Sequence, residues 1–142
     1  MALTALYQRG LLKHLVSQNT DGLHLKAGMP FDALTELHGN TNLEHCLACG
    51  RNYLRDFRAR TSEVATEHRT GRKCDNPSCR GDLVDQIIHF GEKIPQDKVV
   101  RALTEAARAD LCLCLGSSLR VKPANQVPVF TAKHGGKVAI VK

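Results

Sequence analysis

No stretch of this sequence approaches the roughly 18 consecutive apolar residues that a membrane-spanning helix needs, so no span is expected. The first residues, MALTALYQRGLLKHLV, carry Arg9, Lys13 and His14 among apolar side chains, with no apolar h-region and no small-residue cleavage site. That pattern excludes a readable secretory signal. Tryptophan is absent, and so is any internal repeat or low-complexity tract. The expectation is an intracellular globular chain of 142 residues, at most one ordinary domain or one domain with a small insert. In a reducing compartment its six cysteines point to metal binding before disulfides.

Four of those cysteines form two close pairs, Cys46-x2-Cys49 and Cys74-x4-Cys79, separated by a long insert. This spacing suits tetrahedral coordination by four thiolates, for which zinc is the usual occupant. Four protein ligands leave no open position, so the metal is expected to be structural. His45 and His68 lie nearby, but four well-spaced cysteines already suffice. The remaining pair, Cys112 and Cys114, alternates with Leu111, Leu113 and Leu115 and reads as core packing on a strand.

The formal charge of +6 is uneven. Residues 51–73 hold Arg51, Arg55, Arg58, Arg60, Arg69, Arg72 and Lys73 against Asp56, Glu63 and Glu67. The stretch reads either as a solvated loop or as a patch that attracts nucleic acid or chromatin through phosphate contacts.

Short apolar runs at 14–16, 110–115 and 137–141 each end in a polar or Gly-rich turn, as parallel strands covered on both faces do. Residues 86–90 offer a further strand. Val99, Val100, Leu103, Ala106 and Ala107 follow helical spacing behind Asp97, a candidate N-cap. A second helix is expected between Pro123 and His134, interrupted by Pro128 and stopped by Gly135-Gly136. Alternating strands and helices indicate an α/β fold, and in open α/β sheets ligands bind beyond the carboxyl ends of strands. Three turns lie there: Ser17-Gln18-Asn19-Thr20-Asp21, Phe90-Gly91-Glu92 and Gly116-Ser117-Ser118. Their convergence would make a cofactor and substrate crevice. By itself, His38 reads either as a structural, hydrogen-bonded residue or as an acid–base group, and Gln18, Asn19 and Asp21 as turn formers or ligands.

Taken in order, Gln18-Asn19-Thr20-Asp21-Gly22-Leu23-His24, Leu37-His38-Gly39-Asn40, the two cysteine pairs, Ile88-His89-Phe90-Gly91-Glu92 and Gly116-Ser117-Ser118-Leu119 resemble the sirtuins, NAD-dependent protein-lysine deacylases. Thr70-Gly71-Arg72-Lys73-Cys74 and His89-Phe90-Gly91-Glu92 are most similar to the nuclear, chromatin-associated branch. The resemblance implies an incomplete doubly wound, Rossmann-like parallel sheet with a small zinc-binding module inserted at residues 41–84. It implies that His38 is the general base acting on a ribose hydroxyl of NAD. Asn19 and Asp21 would line the nicotinamide pocket, Gln18 would contact the nicotinamide ribose, and Gly116, Ser117 and Ser118 would hold cofactor phosphate and ribose. Phe90, Gly91 and Glu92 would border the acyl-lysine peptide, and Cys46, Cys49, Cys74 and Cys79 would ligate zinc. It implies acyl transfer to ADP-ribose, with acyl-lysine proteins such as histones as substrates, chromatin as a partner and the nucleus as location.

The chain departs from the family before Gln18, where nothing matches the Gly-Ala-Gly-x-Ser loop that cradles pyrophosphate, and at its far end, where an Asn-containing turn would meet adenosine. Residues 1–142 are therefore expected to be a partial sirtuin domain whose activity depends on those segments. The alternative reading is a catalytically silent zinc-bearing module for chromatin or protein interaction.

Overall fold

The structure is a computed structural model that describes residues 2–141; Met1 and Lys142 lie outside the described residues. After a short helix α1 (Ala2–Gln8) comes strand β1 (Leu15–Ser17), then helix α2 (Leu23–Lys26), a 3-10 turn (Phe31–Ala33) and β2 (Leu34–Glu36). The next four strands are β3 (Leu43–Cys46), β4 (Asn52–Leu54), β5 (Arg69–Lys73) and β6 (Asp82–Asp85). Helix α3 (Gln96–Arg108), β7 (Leu111–Leu115), α4 (Gln126–Lys133) and β8 (Lys137–Val141) complete the order.

Two parallel pairs flank one antiparallel sheet. Strands β1 and β2 run parallel with Leu15 opposite Leu34 and Ser17 opposite Glu36, while β7 and β8 run parallel from Leu111–Lys137 to Leu115–Val141. Between them the order β4-β3-β6-β5 makes an antiparallel sheet of four. The parallel pairs with helical crossovers give the α/β character expected of the sequence.

Helix α3 ties the pieces beneath the cleft. Its buried Ala102 packs with Leu37, which follows β2, and with Ala124, which precedes α4. Lys98 donates from Nζ to the Glu36 carbonyl at 3.2 Å, and Thr131 of α4 donates to the Ala106 carbonyl at 2.8 Å. Burial lowers the Lys98 amine below its ordinary pKa, with the Glu36 carboxylate opposing that drift. Pro128 sits in the first turn of α4, where a backbone N–H has no intrahelical partner to lose, so it does not break the helix. Gly135, at φ +91°, ends it as expected.

Three expectations fail. The strand placed at 86–90 lies instead at Asp82–Asp85, because beyond Asp85 the backbone leaves the sheet and turns to other partners. Ile87 N–H donates to the Asp85 carboxylate at 3.0 Å and Ile88 N–H to the His38 carbonyl at 3.0 Å. Asp97 is not the N-cap of α3. The helix follows Pro95, and Asp97 stands inside the first turn, where its charge still suits the helix dipole. The β7–β8 pair is covered on one face only: Cys114 is buried beneath α4, whereas Leu111, Leu113, Leu115 and Ile140 are about half exposed.

Candidate active site and candidate metal centre

Two turns carry the polar residues of the cleft, and each holds the other. From β1 and β2 the chain emerges side by side, with Leu37 N–H donating to the Ser17 carbonyl at 3.0 Å. Thr41 donates to the Thr20 carbonyl from both its N–H and its hydroxyl, each at 2.8 Å. Asn40 is fully buried and gives its amide to both oxygens of Glu36, at 3.0 and 2.9 Å, while its own carbonyl oxygen accepts from Asn42 N–H. Burial raises the Glu36 carboxyl above its ordinary pKa, opposed by the Asn40 hydrogen bond.

His38 stands between these turns. Its Nδ1 lies 3.1 Å from the Gln18 carbonyl oxygen. A carbonyl can only accept, so Nδ1 carries the proton and Nε2 keeps the free lone pair. Gly39 follows at φ +83°, and a Cβ there would meet the Gln86 carbonyl oxygen at 1.6 Å. Only glycine lets the 86–88 backbone run against the histidine turn. That close approach brings the third segment to the site.

The resulting cleft has a volume of about 320 Å³ and is lined by Gln18, His38, His89, Phe90, Gly91 and Glu92, with Val121 and Lys122 opposite. Gln18 also donates from its amide to the Ser117 hydroxyl at 3.0 Å, which draws the turn after β7 to the same place. Residues from all three predicted turns thus converge. Phe90 is almost wholly exposed at the rim. Asp21 is spent on the Leu23 N–H at 3.0 Å at the start of α2, and Asn19 N–H on the Ser17 hydroxyl. Neither lines the cleft among the described residues, nor do Gly116 and Ser118, and Ser117 reaches it only through its hydrogen bond with Gln18.

The candidate metal centre joins the end of β3 to the loops that follow β3 and β5. The sulfurs of Cys46, Cys49, Cys74 and Cys79 all lie within 4.8 Å of one another, with Cys46–Cys79 at 3.6 Å and Cys49–Cys74 at 3.7 Å. All six cysteines are free. A tetrahedron with metal–sulfur bonds of about 2.3 Å has sulfur–sulfur edges of roughly 3.8 Å, close to the two shortest separations, so the cluster suits a metal. Backbone N–H groups of Cys49 and Ala48 lower the Cys46 thiol to about 6, whereas at Cys79 the Gly81 N–H is outweighed by burial and the neighbouring thiols, which push it up to about 12, so without metal the four sulfurs do not all ionise together. The Tyr53 hydroxyl reaches Cys74 Sγ at 3.0 Å. At Gly81 a Cβ would lie 3.0 Å from Cys46 Sγ and 2.6 Å from the Ala48 Cβ, so the second cysteine loop passes too close for any side chain. His45 bonds Asn52 and His68 faces Asp85 and Glu92, so neither histidine joins the cysteine cluster.

Sequence reading missed the charges that hold this sheet. Glu44 is fully buried and receives Arg55 Nε and Arg72 Nε, each at 2.7 Å. Asp85 is buried with Arg60 at 2.9 Å. Of the seven cations in residues 51–73, Arg55, Arg60, Arg69, Arg72 and Lys73 are in ion pairs, leaving Arg51 and Arg58 without one among the described residues.

A model of the Sir2 family matches residues 1–123. The chain belongs to the Sir2 family. It is 42% identical over 141 residues to the NAD-dependent protein deacetylase SRT1 of Arabidopsis thaliana, covering 99% of this chain and 29% of that protein. To the NAD-dependent protein deacetylase sirtuin-7 of Bos taurus it is 48% identical over 126 residues, covering 85% of this chain and 31% of that one. A solved Sir2 in complex with the inhibitor EX-527, 2'-O-acetyl-ADP-ribose and deacetylated p53-peptide superposes with a TM-score of 0.69 at 36% identity. That match covers 99% of this Sir2-family chain and 56% of the solved one. The chain therefore spans less than a third of these two curated relatives and about half of the solved protein.

Proposed function

We propose that the cleft serves NAD-dependent removal of acyl groups from protein lysines, with His38 as general base and the cysteine cage holding one structural zinc. The observation that carries the reading is the single hydrogen bond from His38 Nδ1 to the Gln18 carbonyl. It fixes the tautomer that leaves Nε2 basic, on a ring that lines the cleft. A neutral imidazole nitrogen with a free lone pair is the kind of group that accepts a proton from a hydroxyl in general-base catalysis.

When bound, NAD would supply an electrophilic ribose carbon with nicotinamide as its leaving group. Gln18, Asn19 and Asp21 are assigned to its nicotinamide end, and Gly116, Ser117 and Ser118 to its phosphate and ribose. The donor set fits: amides, hydroxyls and backbone N–H groups at strand ends, with Gln18 and Ser117 already in contact. Phe90, Gly91 and Glu92 are assigned to the acyl-lysine peptide, which suits an exposed aromatic rim beside an open turn. The similarity to a Sir2 solved with an acetyl-ADP-ribose and a deacetylated peptide supports these assignments. We extend the proposal to residues 41–84 as the inserted zinc unit of a partial domain at 1–142, to histone-class substrates and to a nuclear location. A chromatin contact through residues 51–73 would rest chiefly on Arg51 and Arg58, since the other cations are paired.

The test is nicotinamide release coupled to deacetylation of an acetyl-lysine peptide by the protein that carries this chain. His38→Ala should abolish both while zinc content and thermal unfolding stay unchanged. Full turnover by that variant would return His38 to a structural role.

A further inference from the structure

One histidine outside the proposed machinery joins the metal-binding sheet to the cleft wall. His68 lies just before β5, about a quarter exposed. Its Nδ1 is 3.2 Å from one oxygen of Asp85 on β6, and its Nε2 is 2.9 Å from one oxygen of Glu92. The other Glu92 oxygen accepts the His89 N–H at 2.6 Å. The other Asp85 oxygen accepts from Arg60, and Ile87 N–H shares the oxygen that His68 faces. An ionised carboxylate can only accept, so both ring nitrogens must donate. The geometry thus requires an imidazolium; a neutral ring would set one lone pair against a carboxylate.

The 88–92 turn has few other anchors. Ile88 N–H reaches the His38 carbonyl and Glu92 N–H reaches the His89 carbonyl, both within the turn or its near end. Phe90 is exposed, Gly91 has open space around it at φ +91°, and His89 Nε2 is buried with no hydrogen-bond partner. Among the described residues, the side-chain tie from this turn to the metal-binding sheet is the Glu92 carboxylate.

We propose that His68 is a positioning residue that clamps the 88–92 turn to the metal-binding sheet through Glu92 and so sets the opening of the cleft to its acyl-lysine substrate. The substrate part rests on the deacylase reading; the clamp does not. Desolvation opposes a charge on His68, but the Glu92 and Asp85 carboxylates outweigh it and raise its pKa above the ordinary value. The charged groups around it are those two carboxylates, Arg60 on Asp85, the His89 ring with its centroid 6.0 Å away, Glu67 on the Arg69 N–H, and the Arg69–Asp82 pair. A raised folded pKa means the clamp is complete below about pH 6.5 and is lost as pH rises through the folded value.

The experiment follows amide exchange of residues 88–92 in the zinc-loaded protein across pH, expressed as protection relative to the unstructured chain. Alongside it, the His68 ring is titrated by NMR, and KM and kcat for an acetyl-lysine peptide are measured. Protection should fall about tenfold as His68 loses its proton, with KM rising in step and kcat steady. His68→Gln should show the low protection at every pH, with zinc content and melting unchanged. Should that variant not fold, Glu92→Gln should lower the His68 midpoint and move the protection step with it. Protection that ignores the His68 titration overturns the proposal, as does a protection step with KM unmoved in an active protein. A protection step without turnover in the protein that carries this chain sustains the clamp and overturns the deacylase reading instead.

Discussion

In the four-stranded sheet Leu83 packs with Cys46, Cys74 and Tyr53, whereas beneath the cleft Leu37, Ala102 and Ala124 pack with Val16, Ile94 and Val127. The first region closes its interior with thiolates and ion pairs, as at Glu44 and Asp85. The second relies on helix α3 and on backbone groups that bond across turns, as His38 does with Gln18 and Ile88 does with His38. A region whose cluster is made largely of thiols is expected to lose stability without a metal, because binding free energy there is folding free energy. A region built on backbone contacts can hold one imidazole nitrogen in a fixed place and is sensitive to any atom added to its turns.

The largest effect should follow loss of the cage. Cys49→Ser together with Cys79→Ser should take zinc from one per chain to none by elemental analysis. The sheet should unfold, since the binding free energy lost is on the order of 10 kcal/mol. Retained zinc in the double variant, or a correctly folded wild-type chain without it, would break the contrast between the two regions.

Next comes chemistry without stability. His38→Ala should lower kcat/KM by roughly 10²–10⁴-fold and leave melting and zinc unchanged, because the ring's one described hydrogen bond is to a carbonyl at the cleft edge. A variant that loses activity and melting together would show that the histidine holds the turn rather than acting from it.

Glycine substitutions then measure the close approaches directly. Gly39→Ala, with 1.6 Å between its new Cβ and the Gln86 oxygen, should cost about 3 kcal/mol in denaturant unfolding. Gly71→Ala makes the control. It has φ +76° but open space around it, so only backbone strain of about 1 kcal/mol applies. Equal costs at the two sites would mean that the cleft turn yields where the backbone contact says it cannot.

Much of this division was legible in the sequence, for reasons that differ by element. The cysteine pairs announce their cage because metal spacing is local, and the runs at 111–115 and 137–141 announce strands because apolar periodicity is local. Asp82–Asp85 did not announce itself: it carries aspartates at both ends, while the more apolar Ile87-Ile88 next to it drew the strand reading. What moves the strand is long-range, since His38 and Gly39 offer the 86–88 backbone a different partner. The same limit hides Glu44, Arg60 and His68. Each looks like a surface charge until the fold supplies its counter-charge. At the cleft, the convergence of Gln18, His38, Ser117 and the 90–92 turn could be expected from strand-end logic. The commitment of Glu92 to His68 could not, because nothing within a few residues of either encodes it.

The smallest expected effect tests whether buried charges really substitute for apolar packing in the sheet. Burial pushes the Glu44 carboxyl up, but hydrogen bonds from Thr70, Arg55 and Arg72 outweigh it and hold the group below its ordinary range. A depressed folded pKa gives stability that is present above the ordinary carboxylate value of about 4.3 and is lost as pH falls through the folded value. Arg72→Gln removes one of the two guanidinium partners, together with contacts to the Ala59 carbonyl and the Phe57 ring. Arg72 is one-third exposed, so solvent screens part of the pair and the loss at neutral pH should be about 1 kcal/mol. The Glu44 midpoint should rise toward its ordinary value, so that acid weakening of the sheet begins at higher pH than in wild type. Carboxyl NMR titration of Glu44, with urea unfolding at neutral and mildly acidic pH, reads both quantities. An unmoved Glu44 midpoint would mean that Arg55 alone fixes the buried charge, and that Arg72 contributes through the Phe57 and Ala59 contacts instead.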